Sequence, residues 1–189
     1  MDQSDLLQYV VGILEDMHLR YFVTGSTVTI FYGEARFTND IDIVVDLPEE
    51  RVADFCRRFP HEDFYVSESG AREAVFRKSQ FNIIHPASGL KVDIIVPELS
   101  EFNESRFVRV RRLHPAEGFT ASFASPEDAI IKKMDFYRQG GSDKHLRDIA
   151  SVLKTSGKQI DREYITKWAQ QLGLSDVWSK IQNQPNRDS

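Results

Sequence analysis

The chain has 189 residues, 41% hydrophobic and 28% charged, enough for one sizeable core or for a compact domain with a smaller one appended. A formal net charge of −5 excludes the global basic character that dominates non-specific nucleic-acid binding, so a nucleic-acid partner would need a local patch. Cys56 is the only cysteine, which excludes an intrachain disulfide and a cysteine-rich zinc site; its surroundings, Val52-Ala53-Asp54-Phe55-Cys56, predict a helix facing the core.

In chain order, Ser4 is the expected cap of a first helix whose stripe is Leu6, Leu7, Val10, Val11, Ile13 and Leu14. Tyr21-Phe22-Val23-Thr24 reads as a buried strand that stops at Gly25. From Ser26 to Tyr32 the β-branched residues favour a strand by propensity, while a helix capped by Ser26 and ended by Gly33 fits the pattern better. A second strand is expected over about Ile41 to Val45. Pro48-Glu49-Glu50 then opens a helix running to roughly Phe59.

Phe64 to Val66 is a short strand candidate and Ala71 to Arg77 a short helix. Phe81 to His85 and Leu90 to Val96 flank Pro86-Ala87-Ser88-Gly89, which predicts an antiparallel hairpin. Further strands are expected over Phe107 to Leu113 and Phe119 to Ala124. Ser125-Pro126-Glu127-Asp128 is a strong helix start, and the chain reads as helical over 126–138, 143–155, 161–171 and 174–182. The layout is therefore α+β over 1–124, helical over 125–183, and a polar, disordered tail over 184–189. Met1-Asp2-Gln3-Ser4-Asp5 lacks the positive region of a signal peptide, and no apolar run reaches bilayer length, so a cytoplasmic protein with no membrane partner is expected.

The chemistry concentrates in three aspartates. Asp40 and Asp42 sit one residue apart in a strand-forming segment, so both point to one face. Adjacent carboxylates repel, and the flanking Ile41, Ile43, Val44 and Val45 describe a strand buried on both sides, where an unpaired carboxylate is costly. A divalent cation would reverse the sign of that interaction, and oxygen ligands on a rigid strand suit Mg²⁺. Asp93 interrupts the apolar run Val92-Asp93-Ile94-Ile95-Val96 in the same way. On a neighbouring strand it would complete a cluster able to hold two cations about 4 Å apart. Gly25-Ser26, at a strand-to-helix junction, offers backbone N–H groups and a hydroxyl to phosphate oxygens. An ordinary turn explains those two residues on their own.

Together Gly25-Ser26, the thirteen-residue gap, Asp40-Ile41-Asp42 and the later Asp93 resemble the signature of the DNA polymerase β-like nucleotidyltransferase superfamily. Arg36-Phe37-Thr38-Asn39-Asp40 is similar to the Arg-x-Thr-x-Asp run of many small bacterial members. Ser125-Pro126-Glu127-Asp128-Ala129-Ile130-Ile131-Lys132-Lys133 and Lys144-His145-Leu146-Arg147-Asp148-Ile149 resemble the abortive-infection type of nucleotidyltransferase toxin from bacterial toxin–antitoxin systems.

The resemblance covers about residues 20–155. It implies a mixed-sheet nucleotidyltransferase fold flanked by helices, and transfer of a nucleoside monophosphate from a nucleoside triphosphate such as ATP. The acceptor it implies is a hydroxyl on RNA or tRNA, a protein or a small molecule. Asp40, Asp42 and Asp93 would hold two Mg²⁺ or Mn²⁺ ions, and Asp93 would also help deprotonate the acceptor. Gly25, Ser26, Arg36 and Lys133 would contact the nucleotide, and a cognate antitoxin would be a partner. His145 stands where the family often has an acid, and Asp148 reads as a helix anchor.

Two other readings stand beside it: a nucleotide-binding regulatory protein of the same fold without turnover, and a structural protein that uses the acids for ordinary salt bridges. Arg106, Arg109, Arg111 and Arg112 read either as a patch for an RNA acceptor or as a solvated edge strand, the latter explaining Arg109 and Arg111 equally well. His18, His61, His85 and His114 lack ligand spacing.

Overall fold

In a computed structural model of the chain, the described residues are 1–33 and 40–183, the side chains of Thr29 and Ile30 excepted. They fall into two compact units, 1–27 with 40–124 and 28–33 with 125–183.

The first unit opens with α1 (Gln3–Asp16). Its cap is Asp2 rather than Ser4: the Asp2 carboxylate accepts from the Asp5 N–H and the Asp5 carboxylate from the Asp2 N–H. That reciprocal pair satisfies two end amides at once, which moves the helix start forward. Then β1 (Tyr21–Thr24), buried throughout, runs into α2 (Gly25–Tyr32), which begins in the first unit and continues into the second. The ambiguous stretch is thus helical, and Gly25 at φ +68° makes the sharp turn into it.

β2 (Asp40–Val45) precedes a 3₁₀ turn over Glu49–Arg51 and the short α3 (Val52–Arg57), which buries Cys56. β3 (Tyr65–Val66) leads to α4 (Glu68–Arg77), capped by Ser67, whose hydroxyl accepts from the Gly70 N–H at 3.0 Å. The hairpin is β4 (Gln80–His85) with β5 (Leu90–Ile95), in register over six pairs.

The next element corrects the sequence reading. α5 (Glu101–Val108) occupies ground expected to be loop and strand, and β6 (Arg111–Ala116) begins only after it. Ser100 caps α5, Glu101 and Glu104 lie in its first turn, and Phe102 and Arg106 are buried four residues apart. The β-forming look of Phe107-Val108 lost to that cap and that helical spacing.

β7 (Phe119–Phe123) completes the sheet. Among the described residues seven strands make one mixed sheet in the order β3-β4-β5-β2-β1-β7-β6. The β2/β5 and β1/β7 pairs are parallel, the others antiparallel. The architecture is α+β, as expected. Paired residues share a face, so Phe81, Ile83, Val92, Ile94, Ile41 and Ile43 line one side, all buried. Phe55 of α3 packs against Phe81 on that side with ring centroids 6.1 Å apart. The opposite side carries the acids.

The second unit is helical beyond residue 125: α6 (Pro126–Gly140), α7 (Asp143–Ser156), α8 (Arg162–Gln171) and α9 (Ser175–Gln182), each within two residues of its expected bounds. Ser125 caps α6, its hydroxyl accepting from the Asp128 N–H at 3.1 Å. Ile131, Met134, Ile149, Val152, Ile165, Trp168 and Trp178 are buried in this unit. The Ser156 hydroxyl donates to the Tyr32 carbonyl at 2.9 Å, tying α7 to the end of α2. No helix among the described residues is long and apolar enough to cross a membrane.

Candidate active site

The parallel pairing of β2 with β5 settles where the three aspartates lie. Asp42 stands directly opposite Asp93, and Asp40 opposite Lys91. Asp93 in turn faces Asn82 of β4, and Asp42 faces Thr24 of β1. The residues of one row share a face, so Asn82, Asp93, Asp42 and Thr24 cross four strands as a polar row, with Asp40 and Lys91 in the row beside it. A strand pair gains nothing from two opposed carboxylates. The sheet keeps them because other groups neutralise or hold them.

Two such groups were not singled out from the sequence. Lys91 Nζ lies 3.0 Å from Asp93 Oδ2, 3.3 Å from Asp93 Oδ1 and 3.7 Å from Asp40 Oδ1. Asn82 donates from Nδ2 to Asp93 Oδ1. The signal for Lys91 was present: it stands two residues before Asp93 on a strand, so its side chain must leave on the same face. Asn82 had no signal short of the hairpin register. The side chains of Asp93, Lys91 and Asp40 are 11%, 42% and 59% exposed, so the cluster passes from a covered floor to an open rim. The hydrogen bond to Asp93 is the chief reason that the Lys91 ammonium is held above its ordinary pKa, with the charges of Asp93, Asp40 and Asp42 adding to it.

Gly25 closes the floor from the β1–α2 junction. A Cβ on it would lie 1.9 Å from Asp42 Oδ2, and its φ of +68° already disfavours any L side chain. The sequence therefore needs glycine here for the turn and to leave room for a carboxylate. Ser26 follows in the first turn of α2, and the Thr27 hydroxyl donates to the Asp40 carbonyl at 3.4 Å, linking that turn to the start of β2.

The remaining candidates are placed differently. Arg36 lies outside the described residues, as do Thr38 and Asn39. Lys133 belongs to the second unit, where it is buried and its Nζ donates to Asp148 Oδ2 at 2.7 Å. Asp148 thus ties α7 to α6, as its anchor reading expected.

The arginine cluster divides three ways. Arg106 is a buried residue of α5 whose guanidinium stacks on the Phe22 ring at 4.7 Å, so it belongs to neither an edge strand nor a surface patch. Arg109 is the C-cap of α5 and no strand residue. Arg111 and Arg112 do lie on the edge strand β6, with Arg112 bonded to Glu15 at 2.5 Å and to Ser122 at 3.1 Å.

The donor set at the acidic face is wholly oxygen, the kind a hard divalent cation takes. Among the described residues no three His, Cys, Asp or Glu side chains are gathered closely enough to hold a metal ion. The backbone nevertheless puts two carboxylates opposite each other and a third two residues away. A positive group, the Lys91 ammonium, already sits against two of them. The residues fit a bound cation on the condition that Lys91 yields its place.

The solved structures similar to this chain include nucleotidyltransferases and nucleotidyltransferase-like proteins. An antigenic nucleotidyltransferase-like protein from Paracoccidioides brasiliensis aligns over 80% of this chain and 77% of its own, with 21% identity and a TM-score of 0.53. The antibiotic-resistance factor ANT(2'')-Ia aligns over 95% and 94%, with 14% identity and a TM-score of 0.53. A proposed nucleotidyltransferase from Thermotoga maritima aligns over 76% and 92%, with 18% identity and a TM-score of 0.51. No protein-family model and no curated protein sequence matches the chain. The chain has the nucleotidyltransferase fold.

Proposed function

We propose that this chain is a divalent-cation-dependent nucleotidyltransferase that moves a nucleoside monophosphate from a nucleoside triphosphate to a hydroxyl acceptor. The observation that carries this reading is the register Asp42 opposite Asp93, with Gly25 leaving its Cβ space to the Asp42 carboxylate. In the reaction, the acceptor oxygen attacks the α-phosphorus, the bond to the bridging α–β oxygen breaks, and pyrophosphate leaves with that oxygen. Asp93, on the covered floor, is the group that takes up the acceptor proton. Asp40, Asp42 and Asp93 hold the cations, and the backbone N–H groups and hydroxyl of Gly25-Ser26 hold the outer phosphates. Mg²⁺ or Mn²⁺, when bound, supplies neutralisation of the developing phosphate charge. The protein's own part is positioning, which phosphoryl transfer chiefly requires.

Arg36 stays in the proposal as a phosphate or acceptor contact. A phosphate contact by Lys133 would have to break its bond to Asp148. The acceptor is RNA such as tRNA, a protein or a small molecule. The toxin–antitoxin setting predicts that induced expression arrests growth of a bacterial host and that Asp42→Asn abolishes the arrest.

The test is to incubate the chain with each α-labelled nucleoside triphosphate, Mg²⁺, and in turn total RNA, protein extract and aminoglycosides, beside Asp42→Asn. Label transferred to one acceptor class by the wild type alone supports the enzyme. Mg²⁺-nucleotide binding without transfer to any acceptor leaves the regulatory binder. No binding at all refutes both.

A further inference from the structure

The carboxylates of the acidic face already have a cation in contact with them. Lys91 Nζ reaches both oxygens of Asp93, at 3.0 and 3.3 Å, and lies 3.7 Å from Asp40 Oδ1. Its placement follows from the backbone: it is opposite Asp40 in the β2/β5 register and two residues from Asp93 on the same strand. An ammonium is a compact charge on a flexible stem, able to approach several oxygens at once as a small metal ion does. With its side chain 42% exposed, Lys91 has solvent into which to withdraw. Asp93, 11% exposed, would otherwise keep a largely covered carboxylate beside Asp42 with only Asn82 bonded to it among the contacts described.

We propose that Lys91 is a resident counter-cation of this face, a placeholder that a divalent cation must displace from Asp93 and Asp40 before the site is loaded. This rests on reading Asp40, Asp42 and Asp93 as cation ligands. The device holds like charges together in the metal-free protein and sets how much free cation is needed to fill the site. Lys91 is a positioning residue in this role: it acts on the ligands and not on the reacting atoms.

The probe is Mn²⁺ alone, with free Mn²⁺ counted by electron paramagnetic resonance as it is titrated into the full chain. Four proteins are compared: wild type, Lys91→Met, Lys91→Arg and Asp93→Asn. Lys91→Met is expected to bind Mn²⁺ roughly three- to fivefold more tightly, the factor that corresponds to removing one competing exposed ion pair. Lys91→Arg, which keeps the charge, is expected to stay near wild type, and Asp93→Asn to lose binding. Should Lys91→Met fail to fold, Lys91→Gln takes its place. Unchanged or weaker binding in the Lys91→Met protein, with Asp93→Asn still defective, overturns the placeholder and leaves the ligand reading standing. Mn²⁺ binding in none of the four, or binding indifferent to Asp93→Asn, overturns both.

Discussion

Lys133–Asp148 and Lys91–Asp93 are lysine–aspartate pairs of nearly equal length, one in each unit of the chain. In the second unit Lys133 meets Asp148 at 2.7 Å, with side chains only 8% and 7% exposed. In the first, Lys91 meets Asp93 at 3.0 Å, with 42% and 11% exposed, and leans towards Asp40 at 59%. Distance does not separate them; solvent does. A buried pair has had both ions removed from water, so losing one partner strands the other. A pair at an open rim keeps its hydration within reach, and its lysine can be exchanged for another cation at small cost. The helical unit uses its pair to lock α6 to α7. In the sheet unit the pair stands on the face that carries Asp40, Asp42 and Asp93.

The strongest challenge to that contrast is Lys133→Met. It should lower stability by about 3–5 kcal/mol in a denaturant titration, because Asp148 is left charged and buried. Replacing both partners by apolar residues should recover much of the loss, and a cost of Lys133→Met no larger than that of Lys91→Met would erase the contrast.

Asp42→Asn sharpens it from the other side. It should cut label transfer by about 10²–10³-fold, the usual effect of removing one preorganised charge-stabilising group, while costing less stability than Lys133→Met. Gly25→Ala comes next, at about 1–2 kcal/mol for the left-handed backbone, with nucleotide binding lost as Asp42 is pushed aside. Lys91→Met should change unfolding free energy by no more than about 1 kcal/mol, as exposed ion pairs do.

The smallest effect is acid sensitivity in the helical unit. Burial above all, and then the nearby charge of Lys133, hold the His145 imidazole below its ordinary value. The folded state therefore resists protonation. This contribution to stability is complete above a pH of about 6.5, where the unfolded histidine is neutral too, and declines as pH falls through the folded value. His145→Gln should flatten that limb of the stability–pH curve.

Much of this was legible in the residues. Asp42 and Asp93 stood out because each interrupts an apolar run, a cost visible without coordinates, and Asp40 because its spacing puts it on the same face as Asp42. The helical half was legible from Ser125-Pro126-Glu127-Asp128 at its start. Lys91 was not singled out, although its place two residues before Asp93 puts it on the same face; that it also neighbours Asp40 follows only from the β2/β5 register. Asn82 became a partner of Asp93 only through the β4/β5 pairing. α5 was missed because Phe107-Val108 favours a strand locally, while the burial of Phe102 and Arg106 that fixes a helix is tertiary. Arg106 looked like surface charge for the same reason: stacking on Phe22 is written in the fold and not in the local run.

On the proposed function, the acidic face of the sheet is where cation and triphosphate meet. The most direct measurement is a crystal structure with Mn²⁺ and a non-hydrolysable nucleoside triphosphate, the metal located by its anomalous scattering. The predicted result is Mn²⁺ on oxygens of Asp42 and Asp93, phosphates at Gly25-Ser26, and Lys91 withdrawn from Asp93. Nucleotide and Mn²⁺ bound elsewhere, with Lys91 still on Asp93, would contradict it.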